Sequence, residues 1–424
     1  MAIDQDKYQT YIQILKEELV PAMGCTEPIA LAYCASYARD VLKKVPERCL
    51  VEVSGNIIKN VKSVIVPNTH GLKGIEAAVA VGILAGDTNK VLEVISNVKK
   101  EQIEQIKVYL KKECIEVKAL ETPHILDIKI TLFSENDYVT VRIIDQHTNI
   151  VLVEKNGIKL LDKKTDNNRC LEQSNRDCLN VADIFEFANT VDLKDIETTI
   201  KRQIDYNLAI AYEGLNNDYG ANIGSVLLKC GNDIVTRAKA LAAAGSDARM
   251  SGCELPVVIN SGSGNQGLTV SLPIIAYAKE LQVSKEKLYR ALVLANLIAI
   301  HQKSGIGRLS AYCGAVSAGC AAGCGIAYLY DGDYECIAHT IVNSLAITSG
   351  IICDGAKSSC AAKIAASVDA GILGYQMYQE GQQFKDGDGI VKKGVENTIA
   401  NVCRLGKEGM KETDKEIIKI MTNC

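Results

Sequence analysis

Residues 309–330 read LSAYCGAVSAGCAAGCGIAYLY, a run without a charged side chain. It is long enough to span a bilayer, so its reading decides the fold. Ala, Gly, Ser and Cys dominate it, and they gain far less from hydrocarbon than Leu or Phe do. No aromatic belt marks two interfaces either. The stretch is therefore expected to be a central helix buried in protein. Small residues recur at 238–245 and 361–371, so helices there can approach closely, and the last part of the chain is predicted to be almost wholly helical.

Upstream the pattern differs. Apolar residues at helical spacing predict a helix over 8–19, stopped by Pro21, and another over 29–42. Strands are predicted at 50–53 and 61–66, followed by the turn Pro67-Asn68-Thr69-His70-Gly71 and a helix reaching Leu84. Residues 125–132 and 138–144 alternate as antiparallel strands, and 150–154 with 158–161 form a hairpin across Lys155-Asn156-Gly157. The polar stretch 161–180 reads as a surface linker. The fold class is α+β: a small α+β domain over 1–165, a linker and first helix over 166–195, and a helical domain over 196–424.

The chain has 424 residues, 47% of them hydrophobic, with a mean hydropathy of +0.06, enough for one or two large cores. A net charge of -4 and a pI near 5.9 offer no basic surface for nucleic acid or anionic lipid, so small molecules are the expected partners. Sixteen cysteines without an apolar leader predict a cytoplasmic chain with reduced thiols. Cys34, Cys49, Cys114 and Cys320 sit among aliphatic residues and read as small buried hydrophobes.

A few segments carry residues suited to chemistry. Asn260-Ser261-Gly262-Ser263-Gly264-Asn265-Gln266-Gly267 follows an apolar run and precedes a helix, so its backbone N–H groups can approach an anion, with Ser261, Ser263, Asn265 and Gln266 beside it. An ordinary glycine turn is the bland alternative. Cys25, in Gly24-Cys25-Thr26-Glu27-Pro28, stands at a helix start. There a thiol has a lowered pKa and acts as acid, base or ligand beside Glu27, or else the segment is only a cap. Cys313, Cys353 and Cys360 are one thiol short of a closed four-ligand site. The last two are seven apart, on one helical face or in a loop, and by spacing alone three packed thiols are the simpler reading. Of the five histidines, His70 in its glycine-flanked turn is the best polar candidate.

Taken together, Gly24–Ala30, the loop Ser261–Gly267, Tyr312-Cys313-Gly314-Ala315-Val316 and Cys353-Asp354-Gly355-Ala356-Lys357 resemble the iron-sulfur L-serine dehydratase and L-cysteine desulfidase family. The Gly-Cys-Thr-Glu-Pro signature resembles the desulfidases most closely. The resemblance implies a 4Fe-4S cluster on Cys313, Cys353 and Cys360, with the fourth iron acting on substrate. It also implies a small α+β domain ahead of a helical catalytic domain, and loops around Cys25 and His70 that reach the cluster. Cys25, Glu27 and His70 would be catalytic, and Thr26, Ser261, Ser263, Asn265 and Gln266 would bind a small L-amino acid. The expected reaction takes L-cysteine to pyruvate, sulfide and ammonia, with L-serine as the alternative substrate, in a homo-oligomer. The terminal Cys424 parallels a cysteine that occupies the open iron in some dehydratases, but a frayed terminus is the commoner fate of a last residue.

Two rival readings remain. A pyridoxal-phosphate dehydratase would need a Schiff-base lysine, and Lys229 and Lys239 lack its setting. A non-catalytic iron-sulfur sensor would need the thiols but neither the glycine-rich polar loop nor Cys25.

Overall fold

A computed structural model of the chain describes residues 4–163, 174–307 and 310–422. The first part runs α1 (Gln5–Glu18), β1 (Pro21–Met23), α2 (Thr26–Leu42), β2 (Arg48–Val53), α3 (Gly55–Val61), α4 (Gly74–Ala85) and α5 (Lys100–Leu110). Five strands follow: β3 (Ile115–Ala119), β4 (Asp127–Ser134), β5 (Asp137–Ile144), β6 (Ile150–Lys155) and β7 (Ile158–Asp162). Then come α6 (Val181–Thr190), α7 (Leu193–Asn216), α8 (Ile223–Cys230), α9 (Ile234–Met250), β8 (Pro256–Val258), α10 (Gly264–Glu280) and α11 (Lys285–Ile306). The last elements are α12 (Gly314–Leu329), α13 (Tyr334–Ile347), α14 (Cys360–Gln379), α15 (Val395–Arg404) and α16 (Lys411–Thr422). The order is mixed α+β. The expected linker falls largely on 164–173, outside the described residues, as does Cys424.

Six strands form one sheet in the order β3-β2-β4-β5-β6-β7, antiparallel except for the β2–β3 pair. Alternation sets its faces: Ile128, Ile130 and Leu132 of β4 are fully buried in a core shared with Ile29, Ala32 and Ala35 of α2 and Ala78 and Val79 of α4. The strand expected at 61–66 is a correction. Val61 ends α3, and the following residues close a tight loop through Val66 N–H to Leu72 O (2.9 Å) and Gly74 N–H to Val64 O (3.4 Å). Val64 and Val66 are buried instead as core residues of that loop, where a single antiparallel bridge pairs Ile65 with Lys73.

A second core lies in the helices from α6 onward, and α1 belongs to it, with Tyr11 packed edge-on against Phe187 at 5.3 Å. Antiparallel pairing of β1 with β8 fixes the chain leaving α1 to the helical body just before Cys25. At the other end, α16 returns to α3, where Ile418 packs on Gly55.

The charge-free run forms α12, buried along nearly its whole length. Among the described residues no helix is long and apolar enough to cross a membrane. Small residues bring α12 against α14. A Cβ on Gly319 would meet Ser367 O at 2.4 Å, and one on Gly323 would meet Gly371 O at 2.3 Å. Those pairs advance together along both helices, so the helices run parallel and start at the same end.

Candidate active site

That shared end carries two of the thiols. Cys313 is the N-cap of α12, and Cys360 is the first residue of α14. Cys353 lies in the connecting loop, so the loop reading of the Cys353–Cys360 spacing holds. Its place is set by a bridge between Tyr312 and Ile352: Cys313 N–H donates to Ile351 O (2.8 Å) and Cys353 N–H to Ala311 O (2.7 Å).

Cys25 is the N-cap of α2, and Ser263 is the N-cap of α10. All four helices therefore begin around one cavity of about 100 Å³, lined by Cys25, Cys313, Cys353 and Cys360 together with Thr26, Glu27, Ser261, Ser263, Asn265 and Gln266. Helix N-termini carry partial positive charge and unpaired N–H groups, so the cavity favours anions. Thr26 joins its two sides: Oγ1 donates to Gly262 O at 3.0 Å, across 236 residues of sequence. Beneath it, Cys25, Val64 and Met250 pack with Ala356 and Cys360.

Glycines in these motifs make room for neighbours. A Cβ on Gly264 would strike Arg249 Nε at 2.3 Å, and one on Gly314 would strike the Gln266 side chain at 2.4 Å. Gly355, at φ 92°, would strike Lys59 O at 2.3 Å. Behind the Ser261–Gly267 loop lies a buried amide network. Ser261 Oγ donates to Asn260 Oδ1 (2.8 Å), Asn260 Nδ2 to Asn296 Oδ1 (2.9 Å), and Asn296 exchanges hydrogen bonds with Gln203 (2.8 and 3.0 Å). Asn207 holds the same loop through Gly267 O at 3.2 Å. Fully satisfied networks of this kind fix a loop in one conformation.

The carboxylate of Glu27 accepts from Cys25 Sγ (3.0 Å) and Asn60 Nδ2 (3.3 Å), and shares the single Thr26 hydroxyl proton (3.1 Å) with Gly262 O. The Cys25 thiol is a correction to the expected lowering. Burial first, then the Glu27 charge, push it well above its ordinary value, outweighing the helix N-terminus and the Arg249 charge. It is held as a thiol that donates to Glu27.

Cys353 behaves in the opposite way. A hydrogen bond from Cys313 pulls it down to about 6 against its burial, with the charges of Lys59 and Lys303 and the Gly355 N–H adding to the effect. Cys313, the donor, is raised by that same bond and by burial.

Three cations that the sequence reading did not single out line this cavity: Lys59, Arg249 and Lys303, each at most 3% exposed. Arg249 Nη1 donates to Asn265 Oδ1 (3.1 Å). Its Nε, Gln266 Oε1 and Tyr312 Oη have no hydrogen-bond partner among the described residues. Buried polar atoms left open in a cavity point to a ligand that satisfies them. His147, in the turn between β5 and β6, also lines the cavity, whereas His70 lies exposed at φ 54° and is not part of the lining. Lys229 is exposed and Lys239 is paired with Asp369, so neither faces the site. Among the described residues no group of three or more His, Cys, Asp or Glu is arranged to hold a single metal ion.

The model of the serine dehydratase alpha chain family matches residues 89–419. That span includes Cys313, Cys353, Cys360, Arg249 and the glycine-rich loop; the Cys25 loop lies before it. A UPF0597 protein of Desulfitobacterium hafniense is 62% identical over 99% of this chain and 98% of its own. A UPF0597 protein of Lachnoclostridium phytofermentans is 53% identical over 98% of this chain and all of its own. One from Treponema denticola is 47% identical over 99% of both.

Proposed function

This chain belongs to the serine dehydratase alpha chain family, and we propose that its thiol-lined cavity performs β-elimination on a small L-amino acid, with L-cysteine as the preferred substrate. The observation that carries the proposal is the convergence of three cysteines, a carboxylate and a buried arginine on one small cavity at four helix N-termini. A sensor would need the thiols alone. The donor set fits a 4Fe-4S cluster on Cys313, Cys353 and Cys360: three thiols around an anion-favouring cavity, with open polar atoms beside them. When bound, it would supply an electron-poor iron that polarises the substrate.

The chain's own residues would do the rest. Arg249, through its open Nε, with the N–H groups at the start of α10, would bind the α-carboxylate in a charge-assisted pair. Gln266 Oε1 would accept from the α-ammonium. Glu27, steadied by Cys25, Thr26 and Asn60, would take the α-proton. The Cα–H electron pair forms the Cα=Cβ bond as the Cβ–S bond breaks, and hydrosulfide leaves with the sulfur pair. The resulting 2-aminoacrylate tautomerises to an imine and is hydrolysed to pyruvate and ammonia. L-serine undergoes the same steps with loss of water, and the family description favours it as the second reading. His70, exposed outside the cavity, takes no part in this scheme.

The test is assay of anaerobically reconstituted protein with each amino acid. Sulfide and pyruvate should appear in equal amounts from L-cysteine, and Glu27→Gln should lower kcat by about 10²–10⁴ with the cluster spectrum unchanged. Equal kcat in Glu27→Gln and the parent protein would remove Glu27 as the base.

A further inference from the structure

Lys59 is nearly fully buried beside the cysteine loop, and its carboxylate partner comes from the far end of the chain. Its Nζ pairs with Asp414 Oδ1 of α16, 355 residues away in sequence. The main chain around Lys59 is equally constrained. Gly355 fits against Lys59 O only because it lacks a Cβ, and the next residue, Asn60, holds Glu27. Lys59 therefore links the C-terminal helix to both the thiol loop and the carboxylate.

Apolar packing of α16 is partial, since none of its described side chains is fully buried. Its ties to α3 include Lys59 with Asp414, Lys62 Nζ to Met421 O, and Ile418 on Gly55. A buried ammonium is stable only when paired, so without Asp414 it would have to leave the cavity wall or stay there unpaired.

We propose that Asp414 is a positioning residue of the active site: through its ion pair it anchors Lys59, whose main chain and Cγ pack on Gly355 of the cysteine loop, and so makes the C-terminal helix part of the catalytic apparatus. The proposal rests on the lyase reading above. It predicts that Asp414 acts only through Lys59.

The experiment compares Asp414→Asn, Lys59→Met, the double variant and Asp414→Glu with the full-length parent. Two quantities are read: iron loss to a chelator from anaerobically reconstituted protein, and amide exchange of residues 353–360 in metal-free protein. Each single variant should lose iron about 10- to 100-fold faster, as residues supporting metal ligands do. The double variant should match Lys59→Met alone, and Asp414→Glu should restore part of the retention. In metal-free protein, exchange at 353–360 should rise in Asp414→Asn. Additive effects in the double variant, or faster exchange confined to α16 with 353–360 unchanged, would overturn the proposal. A parent protein that takes up no iron would count against the cluster reading instead, and the exchange data would still decide the role of Asp414.

Discussion

At Gly314 a single hydrogen in place of a methyl group decides the shape of the cavity, because the missing Cβ is where Gln266 lies. Gly314→Ala should displace Gln266 and raise KM about tenfold while kcat changes less, a split visible in steady-state kinetics. Equal KM in variant and parent would mean that Gln266 does not touch the substrate. Asp354 gives a prediction in pH. Burial raises its carboxyl, but hydrogen bonds and charge from Lys357 and Lys363 outweigh this and hold it at about 2. A folded pKa below the unfolded one contributes stability above about 3.8, and that contribution is lost as the pH falls towards 2. The stability difference between the parent and Asp354→Asn should therefore be constant near neutrality and shrink between pH 4 and 2 in denaturant titrations. At this scale the sequence was legible where a motif surrounded the residue: Cys313, Cys353, Cys360 and the polar loop all reach the cavity. Arg249 and Lys59 were not. A basic residue in the last turn of a helix usually answers the helix dipole, and Lys59 sits in a seven-residue helix with no pattern to announce it. The thiol state of Cys25 depends on burial and on the orientation of Glu27, neither of which the order of residues reveals.

The elements explain why the thiols meet at all. Parallel packing of α12 on α14 through Gly319, Gly323 and Gly371 levels the two helix starts, so Cys313 and Cys360 face one cavity. Gly319→Val should cost about 1–3 kcal/mol of stability by overpacking. It should also slow cluster assembly, by separating the helix ends without touching a ligand. Unchanged iron uptake in a destabilised variant would show that the ligands do not depend on this contact. The helical reading of 309–330 rested on its small residues, and they are the ones that bring α12 and α14 together. The strand reading of 61–66 failed because buried β-branched residues serve a closed loop as well as a sheet, and only the tertiary contacts distinguish them.

Across the whole molecule, the cavity lies where the sheet-bearing unit meets the helical body, and each contributes groups the other lacks. The sheet side supplies Cys25, Glu27, Asn60 and Lys59; the helical side supplies the three thiols, Arg249 and the polar loop. The order of a sheet-bearing part, with strands ending at Asp162, before the helices from Val181 follows the change of patterning in the sequence. The return of α16 to α3 does not, since nothing local in 411–422 names its distant partner. Thr26→Ala removes a hydrogen bond across this junction, a contribution of about 1 kcal/mol. It should lower kcat/KM about tenfold while the melting temperature falls by only a few degrees, about what 1 kcal/mol accounts for. The central claim is that this junction houses a cluster-dependent amino-acid lyase. The most direct measurement is pyruvate released per iron-loaded protein supplied anaerobically with L-cysteine or L-serine, set against Cys313→Ala treated identically. The account predicts sustained pyruvate, with matching sulfide from L-cysteine, in the parent and none in the variant. Parent protein that holds iron and releases pyruvate from neither amino acid would contradict it.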